Sequence, residues 1–392
     1  MKSGNVVIPE SFLIVVDDVG WWLAGEKRYH VDVPDAALAQ TRRPYYFEDY
    51  ESLVEMGKAL DMRILCGLTI GEWDRDRLLA GVPGSNMYGS KWTNSEPLRQ
   101  VEKFEMVRDY INSNAKHVEM ALHGLNHMFW NDETGECIFA EFYSSENGMN
   151  KMHPERIMRQ HLDAWFQIYE RNGFSAKVDK FIPCCFRYNY SNGDGELSHI
   201  LKDYGIKYVS TIFDAMGYDT PEQPQMACIE NGILTTDRTQ DLIKWYEMDA
   251  KAPNDLRPSY YGAHWPHFIA ENPKDNMITV GRWIEYFKQY KDRFDILFAR
   301  DHEMGAKQCF YRRFTKMKVM SEDRFVLDFS EADLQGASEE LVGNSIYLNV
   351  KKPYRIRCTD GSAAVELWSQ REAFSTYRIT RSGAFASLAL ES

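Results

Sequence analysis

Ser11-Phe12-Leu13-Ile14-Val15-Val16-Asp17-Asp18-Val19-Gly20 is an apolar, β-branched run that stops on two adjacent carboxylates. The same event recurs along the chain. Val118–Leu122 runs into His123-Gly124-Leu125-Asn126-His127, residues 181–186 run into Arg187, and Tyr260-Tyr261-Gly262-Ala263 runs into His264. When parallel strands close into a barrel, the residues just past the strand ends gather at one mouth. One carboxylate and two imidazoles there make a three-ligand metal site with an open position for water. The second aspartate and the late histidine are then placed to act as base and acid.

Between these runs the pattern alternates. Phe47–Leu60 reads as a helix and 63–68 as a second strand. Residues 96–112 read as the helix before the His123 strand, and 154–172 as an amphipathic helix opening on proline, which first turns accept. Val280, Trp283, Ile284 and Phe287 fall at i, i+3, i+4 and i+7, a helix with one buried face, and 295–299 reads as a last buried strand. Such alternation implies a parallel sheet, closed or nearly so, covered by helices. Three stretches read as irregular: 74–95, 131–152 and 216–240. Long loops in compact domains are usually functional lids or disordered, and the first two should hang over the mouth. Phe139, Phe142 and Tyr143 either cover substrate or pack the loop down, with packing the plainer reading. After Tyr311 short alternating strands take over, a small antiparallel β domain. The expected division is therefore 1–311 for a catalytic barrel and 312–392 for a β-rich appendix that packs against it and offers no ligand or acid–base cluster.

The ordered set resembles the polysaccharide deacetylase superfamily (NodB-like, carbohydrate esterase family 4). Val15-Val16-Asp17-Asp18-Val19-Gly20 is similar to that family's Thr-Phe-Asp-Asp-Gly, with one extra residue before the glycine. His123-Gly124-Leu125-Asn126-His127 resembles its His-Ser/Thr-x-x-His without the hydroxyl residue. Phe186-Arg187-Tyr188-Asn189-Tyr190-Ser191 resembles Phe-Arg-Pro-Pro-Tyr-Gly without the prolines, and Tyr261-Gly262-Ala263-His264 resembles the late Leu-x-His. The likeness spans roughly residues 10 to 310. It implies an irregular (β/α) barrel of about seven or eight parallel strands. It implies metal ligands Asp18, His123 and His127, a general base Asp17 held by Arg187, and His264 as acid and oxyanion partner. The ion is a divalent metal, zinc first, with cobalt, nickel or iron also suited to imidazole ligands. An orienting carboxylate behind His264 is implied too, with Asp214 and Asp249 both open. His267, three residues on, competes with His264. Trp21 (or Trp22), Tyr188 and Trp265 beside these groups are candidates to stack on a sugar face, or else to pack.

Composition narrows partners and compartment. A net charge of −12 with no Lys/Arg block argues against nucleic acid or an anionic membrane as partner. No window approaches the ~18 apolar residues of a membrane span. Seven cysteines, an odd number without Cys-x-x-Cys, fit free thiols rather than a disulfide framework. Met-Lys-Ser-Gly-Asn at the start carries no apolar signal region, so the chain reads as cytoplasmic unless a leader has been trimmed. The expected activity is metal-dependent removal of an N-acetyl (or O-acetyl) group from a carbohydrate. An amidase or deformylase acting on a small N-acylated compound is the first alternative. A glycoside hydrolase or a non-catalytic glycan-binding protein is the second; the former would need paired acids flanking a glycosidic bond.

Overall fold

The computed structural model describes residues 4–20, 43, 45–86, 88–93, 101–131, 134, 137–138, 140–146, 149–191, 193–218, 223–239, 243–254 and 260–392. Its centre is a closed barrel of seven parallel strands: β1 (Glu10–Val19), β2 (Ile64–Leu68), β3 (Val118–Leu122), β4 (Lys180–Phe181), β5 (Tyr208–Thr211), β6 (Ile233–Thr239) and β7 (Tyr260–His264). Around the ring the order is β5, β4, β3, β2, β1, β7, β6, and β6 pairs β5 to close it. β8 (Ile296–Phe298) runs parallel to the first half of β1. Every β1 residue after Glu10 is buried, which is why the run is apolar without alternation: a parallel strand is covered on both faces.

The helices are α1 (Phe47–Leu60), α2 (Val101–Ser113), α3 (Glu155–Arg171), α4 (Leu197–Asp203), α5 (Asn276–Lys288) and α6 (His302–Phe314). On α3, Met158, Leu162, Trp165, Ile168 and Tyr169 form the buried apolar stripe, and His161 sits fully buried among them. On α5, Val280, Trp283 and Phe287 are buried as the spacing predicts.

Two expectations about local structure are corrected. The 181–186 run is strand only over Lys180–Phe181. Pro183 cannot donate to a ladder, and Cys184–Phe186 form a tight turn in which Cys185 (φ 52°) and Phe186 (φ 58°) are left-handed. The stretch 216–240, read as irregular, holds a barrel strand. Ala227–Glu230 turns at Asn231-Gly232, both with positive φ, into antiparallel β6. Asn-Gly is the strongest hairpin dipeptide, and Thr235 and Thr236 are β-branched. Their polarity hid the strand from a search for apolar runs.

The C-terminal strands form two four-stranded antiparallel sheets. One is ordered Val6–Val7, Ser345–Lys351, Phe374–Arg381, Ala363–Gln370; the other Lys316–Val319, Arg324–Asp328, Phe385–Glu391, Arg355–Cys358. The first thus includes a strand from the chain's start. Side chains tie these sheets to the barrel. Asn349 Nδ2 donates to the carbonyls of Phe294 (2.9 Å) and Ile296 (3.1 Å), and Tyr311 Oη to that of Gly343 (2.6 Å). Among the described residues no helix is long and apolar enough to cross a membrane.

Candidate metal centre

Asp17 and Asp18 end β1, and in a regular strand they would point to opposite faces. The β1–β2 register shifts between Val16 and Val19, and Asp18 is left-handed at φ 63°. A bulge of this kind re-aims a side chain. It brings Asp18 Oδ1 to 3.3 Å from His123 Nε2 and 3.7 Å from His127 Nε2. His127 is itself left-handed at φ 65°. Non-glycine residues in this region are costly and cluster at functional sites.

The electrostatics of the trio are coupled. Burial alone would push the Asp18 carboxyl up, but the imidazoles of His127 and His123 hold it well below the ordinary carboxylate range. Burial also pushes His127 down, while His123, against the same penalty, is raised by its contact with Asp18. His123 Nδ1 lies 2.7 Å from the Ile182 carbonyl, which can only accept, so that nitrogen carries the proton and Nε2 keeps its lone pair toward the mouth. Asp18 Oδ1 and His123 Nε2 are buried and face each other at 3.3 Å, and among the described residues neither has a well-formed hydrogen bond. Ligand atoms around a tetrahedral ion ~2.1 Å away are roughly 3.4 Å apart, and the two Asp18 distances bracket that spacing. These residues fit a divalent metal.

Cys184 Sγ offers a further donor. Ligand atoms of His123, His127 and Cys184 all lie within 4.8 Å of one another, so this group could hold a metal ion. Burial pushes the Cys184 thiol up, and its Sγ donates to the His123 carbonyl at 3.2 Å. Among the described residues no cysteine forms a disulfide.

Beside the trio, Asp17 makes a bidentate ion pair, but not with Arg187. Arg238 of β6 donates Nη1 to Oδ1 at 2.8 Å and Nη2 to Oδ2 at 2.5 Å, and both residues are buried. Burial alone would raise the Asp17 carboxyl; the guanidinium more than offsets this and holds it below its ordinary value. No ion pair joins Arg187 to Asp17 among the described residues. The turn after Pro183 carries Arg187 out of strand register, while β6 delivers Arg238 from two strands away. Arg238 is the site residue the sequence reading missed, and the Asn231-Gly232 hairpin signal was the available clue.

His264 ends β7 opposite Asp17 in register, so base and acid candidates sit side by side on paired strands. His267 is the structural histidine of the two. It is fully buried, its Nδ1 accepts from the His264 amide (3.3 Å), and its Nε2 donates to the Lys244 carbonyl (2.9 Å). Neither orienting carboxylate considered is buried behind His264. Asp249 is exposed and paired with Thr279 and Arg282, and exposed Asp214 accepts from Gln223.

The aromatic expectations are also corrected. Tyr188 is fully buried and its hydroxyl donates to buried Glu230, whose carboxyl burial pushes up to about 8. Trp265 is fully buried, stacked on Tyr45 at 4.0 Å, with its indole N–H on the Asp49 carbonyl. Neither presents a face to a sugar. Phe142 and Tyr143 are likewise buried, so they pack their loop down. Trp21, Trp22 and Phe139 lie outside the described residues. Among the described residues, Phe186 places a half-buried aromatic ring at the mouth, 6.3 Å from the His264 ring and under the Arg238 guanidinium at 4.9 Å.

No family model matches the sequence, and no curated protein matches it. Seven solved chains match in structure. One, from Mycobacterium smegmatis and provisionally described as a polysaccharide deacetylase, aligns at a TM-score of 0.40 and 10% identity. The alignment covers 79% of this chain and 93% of that one.

Proposed function

We propose that the barrel mouth is the centre of a metal-dependent deacylase, in which Asp18, His123 and His127 hold one divalent ion, zinc by preference. The observation that carries this reading is the Asp18 carboxylate, left-handed and buried, within 3.3 and 3.7 Å of two imidazole nitrogens. When bound, such an ion polarises an acyl oxygen and lowers the pKa of a water. The chain's own residues do the rest. Asp17, kept ionised and oriented by Arg238, accepts the proton of the attacking water. His264, on the adjacent strand, donates a proton to the leaving amine or hydroxyl and, while protonated, stabilises the developing negative charge. His123 is fixed for ligation by its Nδ1 contact to Ile182, the second-sphere arrangement typical of ligating histidines.

The substrate we propose is an N-acetylated sugar, with Phe186 supplying the apolar face that Tyr188 and Trp265 do not. The test incubates metal-loaded protein with N- and O-acetylated saccharides, formamides and cyclic amides, and measures released acid and new reducing ends separately. Acid without reducing ends is expected. Acid from small amides alone moves the substrate class to the amidase alternative, and reducing ends without acid refute the deacylase.

A further inference from the structure

We infer that Glu141 and His161 form a buried positioning pair that shapes the ligand loop His123–His127 and thereby sets its affinity for a divalent ion. This rests on the metal reading above.

The loop cannot hold its own shape. Gly124 (φ 86°) and His127 (φ 65°) are both left-handed, and Leu125 and Asn126 between them need an acceptor for buried amides. Glu141 supplies it from the middle of the 131–152 stretch. Its carboxylate accepts the Leu125 N–H (2.7 Å to Oε2, 3.0 Å to Oε1) and the Asn126 N–H (3.2 Å to Oε2). Gly124 makes the approach feasible, because a Cβ there would meet Glu141 Oε2 at 2.4 Å.

His161 holds the carboxylate in turn. Its Nδ1 is 2.9 Å from Glu141 Oε1, and its Nε2 is 2.7 Å from the Pro83 carbonyl. The carbonyl can only accept, so Nε2 carries a proton. Side chains of Glu141 and His161 are both 0% exposed. The loop is pinned from the other side by Asn126 Nδ2 on the Ser85 carbonyl (2.7 Å). The carboxyl group therefore accepts two N–H donors of the ligand loop and lies against the His161 ring of α3. Both oxygens of a carboxylate accept, and the Leu125 amide uses both; a carboxamide in its place turns an N–H₂ group toward a loop N–H. This explains a buried histidine in an otherwise apolar helix stripe. It also gives Glu141, in a stretch read as irregular, a task at the ligand loop.

The test measures zinc affinity by competition with a chromophoric chelator, alongside the melting temperature of the metal-free protein. It uses full-length wild type, Glu141→Gln, His161→Phe and the double variant. Outer-sphere partners of metal ligands typically govern affinity by 10–100-fold. Glu141→Gln is expected to weaken zinc binding by about that factor, and the double variant to be little worse than Glu141→Gln alone, as for one unit. His161→Phe carries the same comparison if Glu141→Gln does not fold. Variants with lowered melting temperatures but zinc affinity within about twofold of wild type overturn the inference and leave a merely structural pair. A wild type that takes up no zinc overturns the metal reading itself, which separates the two failures.

Discussion

Replacing Arg238 by methionine leaves the Asp17 carboxylate buried without its partner. The two groups make two hydrogen bonds at 2.8 and 2.5 Å with almost no exposure. Opposite unit charges about 4 Å apart attract by about 4 kcal/mol at an effective dielectric of 20. That agrees with the 3–5 kcal/mol typically lost when one member of a buried pair is removed. Arg238→Met is therefore expected to lose about 3–5 kcal/mol of stability at pH 7. The sign with pH follows from Asp17. In the wild type its folded pKa is depressed, so its contribution is fully present above the unfolded value of about 3.9 and lost only as pH falls through the folded value. Without the guanidinium, burial dominates and the folded pKa rises above the unfolded one. The variant's deficit is then largest at high pH and shrinks as pH falls toward about 4. Urea denaturation followed by tryptophan fluorescence at several pH values measures both effects. The Asp17→Asn, Arg238→Met double variant removes both charges and is expected to recover about 2 kcal/mol or more. A single variant as stable as wild type at pH 7, or a double variant no more stable than the single, refutes the reasoning.

The adjacent aspartates should separate cleanly. Asp17→Asn is expected to retain zinc while losing turnover by two or more orders of magnitude, and Asp18→Asn to lose the zinc; metal analysis with the reverse pattern exchanges their roles. Deleting 312–392 should leave a chain that is insoluble or melts well below the intact protein. It strips the contacts made by Asn349 and Gly343 and takes away the strand that pairs with Val6–Val7. A soluble, fully stable truncation seen in a thermal melt contradicts this.

The barrel was legible because its information is local. A parallel strand covered on both faces must be an apolar run, and its end is marked where charge begins; hence the strand ends at Asp17-Asp18, His123 and His264 could be placed, and only their joint order singled them out. The helices followed from spacing along a single segment, and the C-terminal strands from alternation. What tertiary structure alone decided involves partners distant in sequence. Arg238 lies 221 residues from Asp17, and the closure of the barrel through β6, a strand hidden by its threonines, is what brings them together. Arg187 follows an apolar run as the sequence reading expected, yet two left-handed residues before it, Cys185 and Phe186, change its direction. Tyr188 and Trp265 had the composition of a sugar platform, but burial is set by what packs around a ring, here Tyr143 and Phe181 against Tyr188 and Tyr45 on Trp265. The bulge that turns Asp18 toward both imidazoles and the carboxylate of Glu141 beneath their loop have the same origin. Each is a low-population local geometry, stable only because surrounding elements over-determine it, and no single segment encodes that surrounding.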